Sequence, residues 1–265
     1  MLNDAMSNIQ YACVLITGAT SGIGESFARL LPTSTNLILT GRNKQKLAEL
    51  SDQLSNENRT VQTIEANLAT ASGRSKLISK VKSSPIDLLI NNAGLGSYGA
   101  FIETPLERER EMLDVNITAV LELSHTLLPK MISRARKNHS RAGMIVVSST
   151  ASVMPIPYLS TYAATKAFER HWGEAIAEEM RKEPIDILVL CPGTTRTQFF
   201  ERAGFFGSMP MSMEEPNAVV KKALESLGKR TVLISNNIIR LALAPTSLPR
   251  QLFARGIGQF FRRQR

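Results

Sequence analysis

Along this chain, apolar runs of strand length alternate with longer stretches whose apolar residues recur at helical spacing, almost from one end to the other. The runs YACVLIT, NLILTG, TVQTIEA, IDLLINN, GMIVVSS, IDILVLC and TVLIS predict seven strands. Helices are predicted near residues 22–31, 43–57, 71–82, 105–136, 160–182 and 215–228, and RARKNHSRAG, residues 134–143, is expected as a surface loop. Strictly alternating strands and helices are the signature of βαβ units. The expected fold is therefore α/β: a single doubly wound Rossmann-type domain with a seven-stranded parallel sheet flanked by helices. Its ligand is expected at the carboxyl ends of the strands. No internal repeat or low-complexity linker interrupts the pattern. The domain is expected to span residues 1–235, with a basic, partly amphipathic extension over 236–265.

Composition narrows the class. A chain of 265 residues that is 43% hydrophobic and 21% charged is globular rather than disordered. Cys13 and Cys191 each sit inside an apolar run, which suits buried thiols in a reducing compartment better than a disulfide scaffold. With no signal-like start and no apolar stretch of spanning length, a cytoplasmic protein is expected. The net charge of +9 is not spread evenly: from Ser226 onward there are eight basic residues and no acidic one. The body is nearly neutral, so no nucleic-acid partner is expected. Residues 248–263 put Leu252, Phe253, Ile257 and Phe260 on one side of a helical projection and arginines elsewhere, which suits peripheral contact with an anionic membrane surface. The same stripe also suits packing on the body or on another subunit. His125, His139 and His171 are scattered without metal-ligand spacing, and no metal is expected.

The first candidate chemistry follows strand one. In TGATSGIG, Gly18 suits a tight turn off the strand, Gly22 lets the backbone approach a diphosphate, and Gly24 lets the next helix pack closely. The amino end of that helix then faces the phosphates. A phosphate loop of the nucleotide triphosphatases would need Gly-Lys-Ser/Thr, and here Gly24 is followed by Glu25. Strand two ends in Thr40-Gly41-Arg42, with no acid to hold a ribose 2′-hydroxyl and a guanidinium suited to a 2′-phosphate, so NADP(H) is favoured over NAD(H). Ser21 adds a hydroxyl donor. Further on, Tyr162 and Lys166 in YAATK lie four residues apart and share one helix face.

TGATSGIG, the NNAG of Asn91 to Gly94, Asn116, the serine of VVSST, YAATK and the PGTTRT after strand six together resemble the short-chain dehydrogenase/reductase family in its classical form, over roughly residues 11–235. The resemblance implies a catalytic set of Asn116, Ser149, Tyr162 and Lys166. Tyr162 would give its proton to a substrate carbonyl oxygen, or take one in the reverse direction. Lys166 would lower the phenol pKa and bond the nicotinamide ribose, Ser149 would steady the carbonyl oxygen, and Asn116 would carry a water leading from the lysine to solvent. Cofactor contacts are implied at Gly18, Thr20, Ser21, Gly22, Ile23 and Gly24, at Arg42, and at Leu68, Asn91, Ala93 and Gly94, with Pro192, Gly193 and Thr197 facing the nicotinamide amide. Asn67 stands where the family commonly has an aspartate near the adenine.

After strand six, Phe199, Phe200, Phe205, Phe206, Met209, Met211 and Met213 crowd a segment containing Gly204 and Gly207. This suits a lid over a nonpolar ligand, or simple packing of that segment on the body. With Tyr158 and Leu159 it points to a small apolar ketone, aldehyde or secondary alcohol as substrate. The resemblance further implies a homodimer or homotetramer. A non-enzymatic nucleotide sensor or a membrane-docked interaction protein on the same fold is the alternative, and retention of the whole proton-donating set speaks against the sensor.

Overall fold

In the computed structural model, the residues described are 11–207 and 213–236. Seven strands form one sheet: β1 (Cys13–Thr17), β2 (Asn36–Gly41), β3 (Val61–Glu65), β4 (Leu88–Asn91), β5 (Ala142–Val147), β6 (Ile185–Cys191) and β7 (Val232–Ile234). All pairings are parallel, in the order β3-β2-β1-β4-β5-β6-β7. The chain winds outward from β1 to β3 and then restarts at β4 on the other side of β1. That reversal opens a crevice above the carboxyl ends of β1 and β4.

Period-two alternation sends each strand's side chains to two separate cores. Val14, Ile16, Leu37, Leu39, Leu88 and Ile90 pack under α1 (Gly22–Leu30), α2 (Lys44–Leu54) and α8 (Pro216–Ser226). Leu15, Ile38, Leu89, Met144 and Val146 face the opposite layer. There they meet α3 (Ala71–Val81), α5 (Ala119–Lys137) and α6 (Ser160–Glu179). A smaller cluster gathers Met112 of α4 (Leu106–Leu113), Leu159, Tyr162 and Phe205 beneath α7 (Phe199–Arg202).

Two expectations change. RARKNHSRAG is not a loop throughout: α5 runs to Lys137 and β5 begins at Ala142. Ala135 is buried, Arg134 bonds the Ile86 carbonyl and Arg136 pairs with Glu183, so the basic residues are the polar rim of a packed helix. The single helix expected over 105–136 is two helices joined by a π turn, Asp114–Thr118. Such turns insert a residue into the helical ladder and often mark functional sites. The C-terminal stripe at 248–263, and Met209 and Met211 of the expected lid, lie outside the described residues. Among the described residues no helix is long and apolar enough to cross a membrane.

Candidate active site

The crevice encloses about 1200 Å³, room for a dinucleotide together with a substrate. Gly18 turns the chain off β1 at φ +65°, and a Cβ there would stand 2.8 Å from the Ala93 Cα. At Gly22, φ is +56° and a Cβ would meet Thr197 Cγ2 at 2.8 Å. Only glycine holds both conformations without strain, and the missing side chains leave the amino end of α1 open to the cavity. Ser21, at the N-cap, makes no cap bond; its hydroxyl accepts instead from Arg202 Nη1 at 3.1 Å, across the crevice. Thr20, Ser21 and Ile23 line the cavity with these glycines, while Gly24 packs behind them.

The end of β4 is where the expected contacts divide. Asn91 does not reach the crevice. It is the last residue of the strand and shares the parity of Leu89, so its side chain points into the α5 layer, where Nδ2 donates to Ser124 Oγ at 3.1 Å. Asn92, one residue on, faces the cavity. Its amide Nδ2 donates to the Thr17 and Gly18 carbonyls at 2.8 and 3.1 Å, and Thr17 Oγ1 accepts from the Asn92 and Ala93 N–H groups, both at 2.9 Å. This knot ties the β1 turn to the β4 turn; strand parity was the signal that could have singled out Asn92. Ala93 and Gly94 line the cavity beyond it, as do Asn67 and Leu68 near β3 and Pro192, Gly193 and Thr197 after β6. The Asn67 amide oxygen accepts from Ala69 N at 3.1 Å and so is already engaged in its own turn. Arg42 lines the cavity at the end of β2, with no hydrogen-bond or ion-pair partner among the described residues.

Opposite this wall, α6 presents Tyr162 and Lys166 one turn apart, 8% and 3% exposed. Ser149 caps a short 3-10 turn, Thr150–Val153; its Oγ accepts from Ala151 N at 3.1 Å, and its hydroxyl draws the Tyr162 pKa down. The three side chains meet on the cavity wall. Asn116 lies behind them, fully buried in the π turn. Its Oδ1 accepts from Leu95 N at 2.9 Å and its Nδ2 donates to Leu95 O and Thr165 Oγ1 at 3.0 and 2.9 Å, which locks the loop after β4 onto α6. Ser148 donates to the Lys166 carbonyl at 2.8 Å and holds β5 to the helix.

The electrostatics differ from the expectation drawn from the resemblance. Burial raises the Tyr162 pKa; Lys166 and the Ser149 hydroxyl pull it down, Glu169 pushes it up again, and the net direction is upward. Burial likewise draws the Lys166 pKa down, but the Glu169 carboxylate and the phenol hold it above the ordinary lysine value. Lys166 is paired with Glu169, 1% exposed, at 2.9 Å. Sequence reading passed over Glu169, although an acid three residues from a buried lysine on the same helix is visible in KAFE.

Leu95, Ile156, Leu159, Phe199 and Phe200 form an apolar wall beside the phenol, with the Phe199 ring centroid 5.1 Å from that of Tyr162. The segment expected as a lid divides: Phe205 is buried, Phe206 is exposed, and Arg202 lines the crevice.

A parallel sheet of this order, with a glycine turn at the switch point and a phenol, an ammonium and a hydroxyl facing it, is a Rossmann-type domain with its polar side chains gathered at one crevice. The chain belongs to the short chain dehydrogenase family, whose model matches residues 12–204. It is 26% identical over 224 residues to a very-long-chain 3-oxoacyl-CoA reductase of Meyerozyma guilliermondii, a match covering 82% of this chain and 64% of that protein. To dehydrogenase/reductase SDR family member 7B of Rattus norvegicus it is 27% identical, over 97% of this chain and 83% of that one. Among solved structures it resembles a short-chain dehydrogenase from Sphingobium yanoikuyae in complex with NADPH, with a TM-score of 0.77, 26% identity and 95% of each chain covered.

Proposed function

We propose that this protein is an NADP(H)-dependent reductase of apolar carbonyl compounds, with long-chain 3-oxoacyl thioesters as the first substrate class to test. The observation that carries this is the meeting of Tyr162, Ser149 and Lys166 on one wall of the crevice, directly beside the apolar surface of Leu159, Phe199 and Phe200. The reductase of Meyerozyma guilliermondii supports the thioester class. Arg42, at the end of β2 and without a partner among the described residues, supports a 2′-phosphate there.

The residues fit a nicotinamide nucleotide on three counts. Glycines at 18 and 22 leave space that a Cβ would fill, and Arg42 offers a guanidinium with no partner among the described residues. Gly94 opens the flank of the ammonium, where a Cβ would sit 3.3 Å from Lys166 Nζ. The bound nucleotide would supply the hydride. Tyr162 then gives its hydroxyl proton to the substrate oxygen, and Ser149 donates a hydrogen bond to the same oxygen as charge develops on it. Lys166, held charged, stabilises the phenolate left behind. The wall of Leu159, Phe199 and Phe200 excludes water and orients an apolar chain.

Tyr162→Phe tests the assignment. The expected outcome is NADPH binding within about twofold of wild type by fluorescence titration, and turnover lowered by about 10²–10⁴-fold. Undiminished turnover would remove Tyr162 as the proton donor.

A further inference from the structure

Lys166 has three protons to offer, and the protein takes all of them. Nζ donates to the Val147 carbonyl on β5 at 2.9 Å and to the two oxygens of Glu169 at 3.0 and 2.9 Å. Glu169 sits almost one turn further along α6, and among the described residues this ammonium is the one hydrogen-bond partner of its carboxylate. A carboxylate this deeply buried is costly unless its charge is matched. Its whole compensation is the group that must also serve the nucleotide.

We propose that Glu169 is a positioning residue that competes with the nicotinamide nucleotide for the Lys166 ammonium, so that cofactor binding is accompanied by uptake of a proton at Glu169. The inference rests on the nucleotide reading above.

To reach a ribose hydroxyl on the Gly94 side, Lys166 has to withdraw a donor from Val147 or Glu169, and two of its three donors are given to Glu169. A donor taken from Glu169 leaves the carboxylate under-bonded in a dry site, where a proton from solvent is its nearest remedy. It is already poised for this: burial, against the pull of Lys166, has moved its pKa from 4.5 to about 7. The charge acting on Glu169 is that of Lys166, while Tyr162 on the same helix and Cys191 on β6 feel Glu169 in return. Facing the helix from β5 and the 3-10 turn are the neutral Val147 carbonyl, Ser148 and Ser152. Arg170, the next residue, bears on Cys191 and pairs with Glu174.

The sign follows. Below about pH 7 Glu169 is already protonated in the free protein, so binding gains nothing from it. Above that point each binding event requires a proton, and affinity falls as pH rises, by up to about tenfold per pH unit, until the raised pKa of the complex is passed. Withdrawal of the carboxylate charge also removes one of the influences that hold the Tyr162 pKa up, so the same proton prepares the phenol for its work.

Titration calorimetry of the full chain with NADPH tests this, from about pH 6 to 9, in pairs of buffers with different ionisation enthalpies, on wild type and Glu169→Gln. Comparing the two proteins cancels the titration of the cofactor's own 2′-phosphate. The expected result is uptake of a substantial fraction of a proton by wild type near pH 8, with affinity falling roughly three- to tenfold between pH 7 and 9, and neither effect in Glu169→Gln. Equal proton uptake in the two proteins would overturn the proposal, as would binding by wild type with no proton uptake and a flat affinity. That last result decides the matter even if Glu169→Gln does not fold. Absence of NADPH binding at every pH would overturn the nucleotide reading and this inference together, whereas pH-independent binding overturns this inference alone.

Discussion

The two walls of the crevice are built on opposite physical plans. On the β1–β2 side the work falls to backbone shape: glycines at positive φ, the amino end of α1, strand-end turns tied by Thr17 and Asn92, and a solvent-facing Arg42. On the α6 side it falls to charge held out of water: a phenol, an ammonium and a carboxylate, each less than a tenth exposed, with their pKa values set by burial and then by one another. A surface made of backbone donors binds an anion whatever the pH, because amides do not titrate. A buried cluster of ionisable groups responds to every proton and every ligand near it.

Three substitutions sharpen that contrast. The largest effect is expected at Gly18. In Gly18→Ala the new Cβ would press on the Ala93 Cα at 2.8 Å from a backbone already at φ +65°, with backbone rather than a flexible side chain in the way. Urea unfolding should show a loss of about 2–4 kcal/mol, and NADPH binding should weaken with it, without any change in pH dependence. Unchanged stability would mean that the turn has room the structure denies it. A smaller, selective effect is expected at Arg42. Arg42→Ala should weaken NADPH by about 10–100-fold and NADH by less than about twofold, measured by equilibrium fluorescence, because a charge-assisted bond is lost with only the former. Equal losses would show that Arg42 does not meet the 2′-phosphate. The smallest is expected on the α6 side, where Phe199→Ala should raise KM for long apolar substrates by roughly fivefold while leaving kcat and NADPH affinity nearly unchanged. A fall in kcat alone would make Phe199 a support for the Tyr162 ring rather than part of a substrate wall.

What could be read from the chain follows the same division. The strands were legible because a parallel sheet buries both faces, so β1, β4, β5 and β6 stand out as continuous apolar runs with every residue or nearly every residue inside. The glycine turn was legible because its residue types answer to backbone geometry alone. The end of α5 was misjudged because Arg134 and Arg136 look like loop residues until their partners, the Ile86 carbonyl and Glu183, are brought in from distant parts of the chain. Asn91 and Asn92 are indistinguishable by type; parity with Leu89 sends the first into the α5 layer and leaves the second facing the crevice. Spacing alone put Tyr162 and Lys166 on one face. It was silent on burial, and burial is what turns Glu169 from a solvated helix residue into the partner of the lysine and reverses the direction of the phenol pKa. Charge coupling inside a protein depends on how much water is excluded, a property of the whole fold.

The central claim is that the crevice performs hydride and proton transfer on an apolar carbonyl rather than sensing a nucleotide. The direct measurement is nicotinamide absorbance with wild-type protein, NADPH and NADH in parallel, against a panel of apolar ketones, aldehydes and 3-oxoacyl thioesters of increasing chain length. The account predicts oxidation of NADPH, faster than that of NADH, with rates that climb as the chain lengthens along the Leu159–Phe199–Phe200 wall. Tight binding of NADPH with no oxidation across the whole panel would contradict it.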